Sequence, residues 1–251
     1  MSTNIILSGA SGKMGGVLAR LIAARDNCTA VAGLDVSDNK AGEFPVYANP
    51  ADCKEPADVL IDFSHPAALS KVIEIAKARK LPVVLATTGY TEEQIENIHA
   101  LSKEVPVFFS ANMSLGVNLL SALVEKAAAV LGDSFDIEIV EKHHNQKVDA
   151  PSGTALMLAN AAKEGLSFEP EYVYERHSVR QKRDKKEIGI SAVRAGSIVG
   201  EHDVIFGGQD EVITLSHLAL SKDIFAHGAI NAALFLVGKA PGLYSMKDML
   251  D

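Results

Sequence analysis

The chain has 251 residues, of which 47% are hydrophobic and 22% charged, and its formal net charge is −8 at pH 7. This composition is typical of a globular protein, the length allows two joined lobes, and the acidic balance argues against nucleic acid as the main partner. No apolar run reaches the roughly 18 residues of a membrane helix, the first residues lack the basic region and long apolar stretch of a secretory signal, and the two cysteines show no paired spacing. We therefore expect a cytoplasmic protein with no secretory signal and no membrane partner.

The first 113 residues alternate short apolar runs with amphipathic stretches. Runs with the apolar, β-branched character of buried strands lie at 4–8, 29–35, 57–64, 82–88 and 105–110. Helical spacing of apolar residues, with a proline or a capping threonine at two of the starts, predicts helices at 13–25, 66–80 and 91–104. Strands that alternate with helices form parallel sheets, so we predict a Rossmann-type, doubly wound α/β domain over 1–113.

The pattern changes after residue 113. A long helix is predicted at 114–131, then a strand at 135–144 and a helix at about 153–164. Three strand-like runs follow at 187–196, 197–208 and 210–220, separated by short glycine-bearing turns. We therefore predict a second lobe, 114–222, of α+β type and built on a mixed sheet. A last helix at 223–239 would return to the first lobe, which residues 223–251 complete.

A glycine-rich turn, GASGKMG (9–15), lies between the first predicted strand and the first predicted helix. Glycines let the backbone approach a pyrophosphate, whose charge is stabilised by the N–H groups at a helix start. The spacing is one residue off the usual G-x-G-x-x-G, and such a turn alone is often only a turn. Asp35 closes the second strand 20 residues after Gly15, where a ribose-binding carboxylate belongs, although a strand-end acid alone would carry little weight. Together the two features predict a dinucleotide site.

The residues around Asp35 also bear on the choice between NADH and NADPH. A carboxylate hydrogen-bonds ribose hydroxyls and repels a 2′-phosphate, and Val36 stands where a phosphate-binding arginine would otherwise be expected. Lys13 and Lys40 could compensate for this in part. We therefore predict that NADH is used at least as well as NADPH.

The segment EKHHNQKVDAPSGTA (141–155) has an unusual density of titratable side chains. His143 and His144 end a strand, where successive side chains point to opposite faces, and no third ligand stands at a recognisable spacing, so we predict no metal. Ser152 with a nearby histidine and Asp149 suggests a hydrolase, but the G-x-S-x-G turn of such enzymes is absent.

The Pro-Ser-Gly-Thr sequence at 151–154 instead resembles a helix start with free N–H groups, which is an anion site. With Lys147 and a histidine beside it, the site would suit a small substrate that carries carboxylates, and either side chain could move a proton. For either histidine alone, a hydrogen-bonded pair in a polar loop is the better interpretation. Elsewhere, we interpret Glu201 and His202 as ordinary sheet residues on opposite faces of a strand, and the basic run 175–187 as a solvated loop.

With these features in place, the chain resembles the dihydrodipicolinate reductase family over nearly its full length. The resemblance rests on GASGKMG, DVLIDFSHP, ATTGY, SANMSLGVN, EKHHNQKVDAPSGTA, RAGSIVGEHDVIF and FAHGA, in that order. The pattern E-x-H-H-x-x-K-x-D-A-P-S-G-T-A is very specific to that family. The resemblance implies reduction of a cyclic hydroxy-diacid to tetrahydrodipicolinate, with loss of water, by NADH or NADPH in lysine biosynthesis. It also implies a homotetramer built through the sheet of the second lobe.

The family resemblance also implies roles for particular residues. His143 and Lys147 stand at the catalytic positions, and the resemblance leaves open which of them donates the proton. The substrate carboxylates would be held by His144, Ser152, Gly153 and Thr154. The implied cofactor contacts are Gly9, Ala10, Ser11, Gly12, Lys13, Met14, Asp35, Ala86, Thr87, Thr88, Ser110, Ala111, Asn112 and Met113.

Two alternatives stay open at this point. The chain could be another nucleotide-dependent reductase that acts on a different small diacid. It could also be an NAD-binding regulator that retains both lobes without turnover. The presence of His143, Lys147 and the Pro-Ser-Gly-Thr turn argues against a regulator, since a sensor has no need for a proton donor.

Overall fold

The computed structural model describes residues 2–37, 42–132 and 134–250. Lys40, one of the two lysines expected to compensate for Asp35, lies outside these residues. The strands are β1 (Thr3–Ser8), β2 (Cys28–Leu34), β3 (Val46–Tyr47), β4 (Val59–Asp62), β5 (Val83–Leu85), β6 (Pro106–Phe109), β7 (Asp136–His143), β8 (Glu171–Val173), β9 (Glu187–Arg194), β10 (Gly200–Gly207), β11 (Val212–Ala219) and β12 (Gly242–Tyr244).

The helices are α1 (Lys13–Ala23), α2 (Leu69–Arg79), α3 (Glu92–Leu101), α4 (Leu115–Leu131), α5 (Gly153–Gly165), α6 (Asp223–Leu236) and α7 (Lys247–Leu250), with short 3-10 turns at Pro50–Asp52 and Pro66–Ala68. None of the described helices is both long enough and apolar enough to cross a membrane. The chain divides into two compact units, of which the first runs to Ser114 and resumes at Asp223, and the second is Leu115–Lys222.

The first unit is built on a parallel sheet of strand order β12-β6-β5-β4-β1-β2-β3. Its central strands are apolar and fully buried over Ile5–Leu7, Val59–Ile61 and Val83–Leu85, because helices cover both faces of a parallel sheet. Chain order reverses between β1 and β4, and the crevice at the carboxyl ends of those two strands is where doubly wound folds bind ligands. The predicted Rossmann-type sheet is confirmed.

Some short elements of the first unit were not predicted. The two-residue β3 and the three-residue β12 form the edges of the sheet, where pairing depends on neighbouring strands more than on composition. The predicted helix at 66–80 begins as a 3-10 turn and becomes α2 only at Leu69. The capping threonine predicted at the start of the third helix is Thr91, and it forms a capping box: its hydroxyl accepts from Gln94 N, and the Gln94 side chain accepts from Thr91 N.

The second unit is built on a mixed sheet of strand order β11-β10-β7-β9-β8, which confirms the predicted sheet type. β7 pairs antiparallel with β10 and parallel with β9, so the consecutive strands β9 and β10 do not pair with each other. Every second residue of β7 is buried: Ile137, Ile139, Glu141 and His143. The first two pack in a core with α4 and α5, and the last two bring polar groups to the same face.

Candidate functional site

The glycine turn joins β1 to α1 in the first unit, and two of its glycines are required by sterics. Gly9 has φ +79°, and a Cβ on it would lie 2.6 Å from the carbonyl oxygen of Phe63. A Cβ on Gly15 would lie 2.3 Å from the Gly9 carbonyl oxygen. Gly12 is the N-cap of α1 and, having no side chain, offers no acceptor to the N–H groups of the first helical turn.

Asp35 lies directly beyond β2 and is bonded to the glycine turn. Its Oδ2 accepts from Ser11 N at 2.9 Å and its Oδ1 accepts from Ser37 N at 3.3 Å. A carboxylate has about four acceptor sites, so both oxygens retain capacity for a ribose hydroxyl. A cavity of about 290 Å³ opens beside Asp35, with apolar walls from Leu34 and Val36 and polar groups from residues including His65 and Lys71.

The other predicted cofactor residues lie at the carboxyl ends of β1, β5 and β6. Ala10 and Ala86 are buried, as are Thr87 and Met113, whereas Thr88 is exposed. Lys13 and Met14 begin α1. Ser110, Ala111 and Asn112 follow β6, where Ser110 Oγ donates to the Asn112 carbonyl. The structure therefore brings the described cofactor candidates to one edge of one sheet.

Asp62, which ends β4 at the same edge, was not predicted as a functional residue. Its carboxylate is fully buried and accepts from three hydroxyl groups: Ser64 at 2.6 Å, Thr87 at 2.7 Å and Tyr90 at 3.2 Å. Burial and, to a smaller extent, the charge of Asp62 raise the pKa of Tyr90. The hydroxyl of Thr87 is thus committed to Asp62.

The second unit carries a buried carboxylate beside the predicted catalytic histidine. Glu141 is fully buried, and its Oε2 lies 2.6 Å from His143 Nδ1. Arg194 donates to both oxygens, each at 2.8 Å, and Ser152 N donates to Oε1 at 3.0 Å. Burial alone would raise the pKa of Glu141, but the hydrogen bonds from Arg194, His143 and Ser152 outweigh it and leave the pKa below its ordinary value.

His202, which the sequence interpretation treated as ordinary sheet structure, belongs to the same cluster. It lies opposite Glu141 in the β7–β10 pair, its ring makes an edge contact with His143 at 5.1 Å, and its Nε2 lies 2.9 Å from Ser152 Oγ. Burial, reinforced by the neighbouring His143, lowers the pKa of His202 to about 4. The imidazole is therefore neutral at pH 7.

The predicted substrate residues surround this cluster in different ways. Ser152 is buried, with its N–H bonded to Glu141 and its Oγ accepting from Ala155 N at 3.1 Å, so it caps α5. Gly153, the first residue of α5, is exposed, and a Cβ built there would meet nothing within 4 Å. Thr154 follows it in the same turn. A helix start with open space in front of it is suited to an anion.

The loop between β7 and α5 carries the remaining candidates. His144 follows β7, and its carbonyl accepts from Lys147 N at 3.1 Å. Lys147 Nζ lies 2.8 Å from Asp149 Oδ1, and this hydrogen bond holds the pKa of Asp149 below its usual value. Arg194 Nη2 donates to the Asp149 carbonyl at 2.7 Å, which ties the loop to β9.

The structure thus brings His143, Lys147 and the start of α5 into one cluster, to which it adds Glu141, Arg194 and His202. Glu141 could have been found from the sequence, because residues two apart on a strand share a face. Arg194 and His202 could not, since their proximity depends on the strand order and register. Among the described residues, no group of three or more histidine, cysteine or acidic side chains could hold a metal ion.

Two family models match the chain. The model described as dihydrodipicolinate reductase, N-terminus, matches residues 3–113, and the one described as dihydrodipicolinate reductase, C-terminus, matches residues 116–250. A 4-hydroxy-tetrahydrodipicolinate reductase of Caldanaerobacter subterraneus is 52% identical over 250 residues, which are 100% of this chain and 99% of that protein. One of Clostridium novyi is 48% identical over 99% of this chain and 98% of its own length.

Solved structures agree with these relatives. Dipicolinate-bound dihydrodipicolinate reductase from Paenisporosarcina sp. TG-14 superposes with a TM-score of 0.80 at 26% identity, over 98% of both chains. A myo-inositol dehydrogenase from Lactobacillus casei shares only the fold, with a TM-score of 0.60 at 15% identity over 99% of this chain and 90% of its own. Because the full-length relatives are named as reductases, they favour an enzyme over a regulator without turnover. The chain therefore belongs to the dihydrodipicolinate reductase family, oxidoreductases that reduce 4-hydroxy-tetrahydrodipicolinate to tetrahydrodipicolinate with NAD(P)H in lysine and diaminopimelate biosynthesis.

Proposed function

We propose that the two units divide this reduction between them. The first unit, within 1–113 and 223–251, binds the dinucleotide, and the second, within 114–222, binds the diacid, supplies the proton and forms the oligomer. The observation that carries the proposal is the grouping of His143, Lys147 and the start of α5 around a buried carboxylate.

The diacid would be held by positive charge and by N–H groups. Gly153 and Thr154 begin α5, whose dipole favours a carboxylate at this end. Lys147 supplies an ammonium group, and His144 a further donor. Ser152 would act indirectly, because its N–H and hydroxyl already bond within the protein and fix the shape of the helix start. The related structure from Paenisporosarcina is bound to dipicolinate, which supports a small dicarboxylate as the class of substrate.

The residues of the first unit fit a nicotinamide dinucleotide. The pyrophosphate would lie on the glycine turn and the start of α1, where only glycine at position 9 leaves room for the backbone. Asp35 would accept from a ribose hydroxyl, and the cavity beside it would receive the adenine. When bound, the reduced nicotinamide supplies the hydride.

The proton that completes the reduction would come from His143 or Lys147. Hydride addition to a conjugated imine places negative charge on the substrate, and a nearby proton donor and fixed positive groups stabilise it. His143 is nearly buried, with its Nδ1 bonded to Glu141. Lys147 is more exposed and has Asp149 as its partner. Holding donor, diacid and dinucleotide in fixed geometry provides a large part of the rate.

We further propose that NADH is used at least as well as NADPH. Asp35 would repel a 2′-phosphate, and the exposed Val36 offers no charge to bind one. Lys71, which also lines the cavity, supplies one positive charge, so NADPH would be used but not preferred. The other finer expectations, a homotetramer and a cytoplasmic location, stay predictions.

The test is a coupled assay in which the preceding synthase produces the substrate and NADH or NADPH is supplied in parallel. Nucleotide oxidation should depend on the synthase, and kcat/KM with NADH should at least equal that with NADPH. His143→Ala should lower kcat on the order of 100-fold or more without changing NADH binding. His177→Ala, which alters a largely exposed histidine, is the control.

The same assay separates the two proton-donor candidates. Lys147→Ala should lower both kcat and substrate affinity, since the ammonium would act as donor and as charge partner. Lys147→Arg keeps the charge but is a poor proton donor, so retained affinity with lost kcat would assign the proton to Lys147. A strong preference for NADPH, or near-normal turnover of His143→Ala, would contradict the proposal.

A further inference from the structure

We propose that Glu141 is the positioning residue of the substrate site: one buried carboxylate that orients the His143 ring and anchors the start of α5 at the same time. The inference deepens the proposed function and rests on the role given to His143 there. It concerns a residue that touches neither substrate nor cofactor and acts only through its partners.

Four donors occupy the two oxygens of Glu141. Oε2 is shared by His143 Nδ1 at 2.6 Å and Arg194 Nη1 at 2.8 Å, and Oε1 by Ser152 N at 3.0 Å and Arg194 Nη2 at 2.8 Å. An ionised carboxylate is an acceptor with about four sites, so this carboxylate is saturated. A fully buried charge is tolerated only when it is paired and hydrogen-bonded in this manner. Arg194 therefore keeps Glu141 ionised in the core.

An ionised carboxylate only accepts hydrogen bonds, so the contact at 2.6 Å places a hydrogen on His143 Nδ1. Nε2 is then the ring nitrogen that exchanges a proton with other groups. The ring cannot turn away, because it lies against the neutral ring of His202. Gly200 leaves Nε2 uncrowded, since a Cβ at that position would lie 3.1 Å from it.

The second oxygen of Glu141 anchors the anion-binding turn. Ser152 N donates to Oε1, and Arg194 Nη2 bridges that oxygen to the Asp149 carbonyl. The loop that carries Lys147 is thus closed on the carboxylate that holds His143. The His143 ring and the start of α5 share one anchor, so Glu141 sets the distance between that ring and a diacid bound at the helix start.

The first test uses the unaltered protein. Long-range ¹H–¹⁵N correlation spectra of ¹⁵N-histidine-labelled protein, assigned with His143→Gln, should show that neutral His143 carries its hydrogen on Nδ1. A hydrogen on Nε2 of neutral His143 would overturn the inference, whatever the kinetics of any variant.

The second test is Glu141→Gln, which preserves size but turns an NH₂ group toward two of the four donors. We expect kcat to fall on the order of 100-fold or more, as in other pairs in which a carboxylate orients a histidine. The Kd for NADH, bound by the first unit, should not change, and the neutral His143 tautomer should become mixed. Glu171→Gln, an exposed carboxylate at the start of β8, should behave as the unaltered protein.

The outcomes separate this inference from the proposed function. Near-normal turnover of His143→Ala would remove the proposed role of the histidine itself. Loss of turnover in His143→Ala, with normal kcat and an unchanged tautomer in Glu141→Gln, would overturn only the role of Glu141. If Glu141→Gln fails to fold, the two single variants Glu141→Asp and Arg194→Lys serve in its place. A fall in Tm with unchanged kcat in those variants would show a purely structural carboxylate and contradict the inference.

Discussion

His202 is a buried imidazole that the fold holds neutral, and this has a consequence for stability. Glu141, His143 and His217 face it across the sheet, and burial, then His143, lowers its pKa from 6.5 to about 4. Below pH 6.5 the unfolded chain takes up the proton before the folded protein does. The free energy of unfolding therefore falls as the pH falls from about 6.5 towards 4. The stabilisation that comes from keeping His202 neutral is fully present above about pH 7.

The expected contribution of His202 between pH 7 and pH 5 is about 2 kcal/mol, at 1.36 kcal/mol per pKa unit. Urea unfolding at both pH values measures it, with His202→Gln expected to lose less stability on acidification than the unaltered chain. His177→Gln, at an exposed histidine, should keep the full dependence. Equal slopes in all three proteins would show that His202 is not the group that titrates.

Some of the predicted site residues lie in one short segment of the chain. His143, Lys147 and the Pro-Ser-Gly-Thr turn are close in the chain, and the structure keeps them close. His202 and Arg194 reach the same place from two other strands, through a register that short apolar runs do not encode. Because those two side chains are polar within otherwise ordinary strand sequences, the strand pattern alone did not distinguish them from solvent-facing residues.

The carboxyl ends of β4 and β5 are joined by Asp62, which connects the loops that follow the two strands. Ser64 belongs to the first loop, and Thr87 and Tyr90 belong to the second; all three donate to the one buried carboxylate. Asp62→Asn removes an acceptor while keeping size. Since a hydrogen bond to a charged group contributes about 1.5–3 kcal/mol, we expect the KM for NADH to rise about 10-fold or more. The KM for the diacid should not change.

Asp58→Asn is the matched control for this prediction. Asp58 precedes the same strand and accepts from Asn4 N at 2.7 Å, but it is exposed and lies at the opposite end of β4. It should leave both KM values as they are. An unchanged KM for NADH in folded Asp62→Asn protein would mean that the second loop keeps its shape without the carboxylate.

As with the site, the sequence predicted local elements but not how distant strands pair. The alternation of strands and helices established the parallel sheet, because buried strands there are apolar on both faces. The order of the second sheet was not predicted, because β7 separates β9 from β10, and consecutive strands joined by short glycine turns usually pair. The parallel pairing of β7 with β9 becomes possible because α5 lies between them in the chain.

The five-stranded sheet has one face packed against helices and a second face that carries a mixture of apolar and charged residues. Along one row of that second face, Val193 lies beside Lys142, which lies beside Glu201, which lies beside Leu218. The two charges pair with each other at 2.5 Å, whereas Val193 and Leu218 are 42% and 57% exposed. Exposed apolar groups around internally paired charges are typical of a surface that another chain covers.

We therefore predict that copies of the chain associate through this face of the sheet. Leu218→Glu places a second carboxylate directly opposite Glu201, where like charges repel, and a buried unpaired charge opposes association. The molar mass measured by light scattering should fall from that of a tetramer to that of a smaller species. Val179→Glu, in the basic loop and also about half exposed, should leave the mass unchanged. A monomeric unaltered protein, or a Leu218→Glu tetramer that dissociates no more readily on dilution, would contradict the prediction.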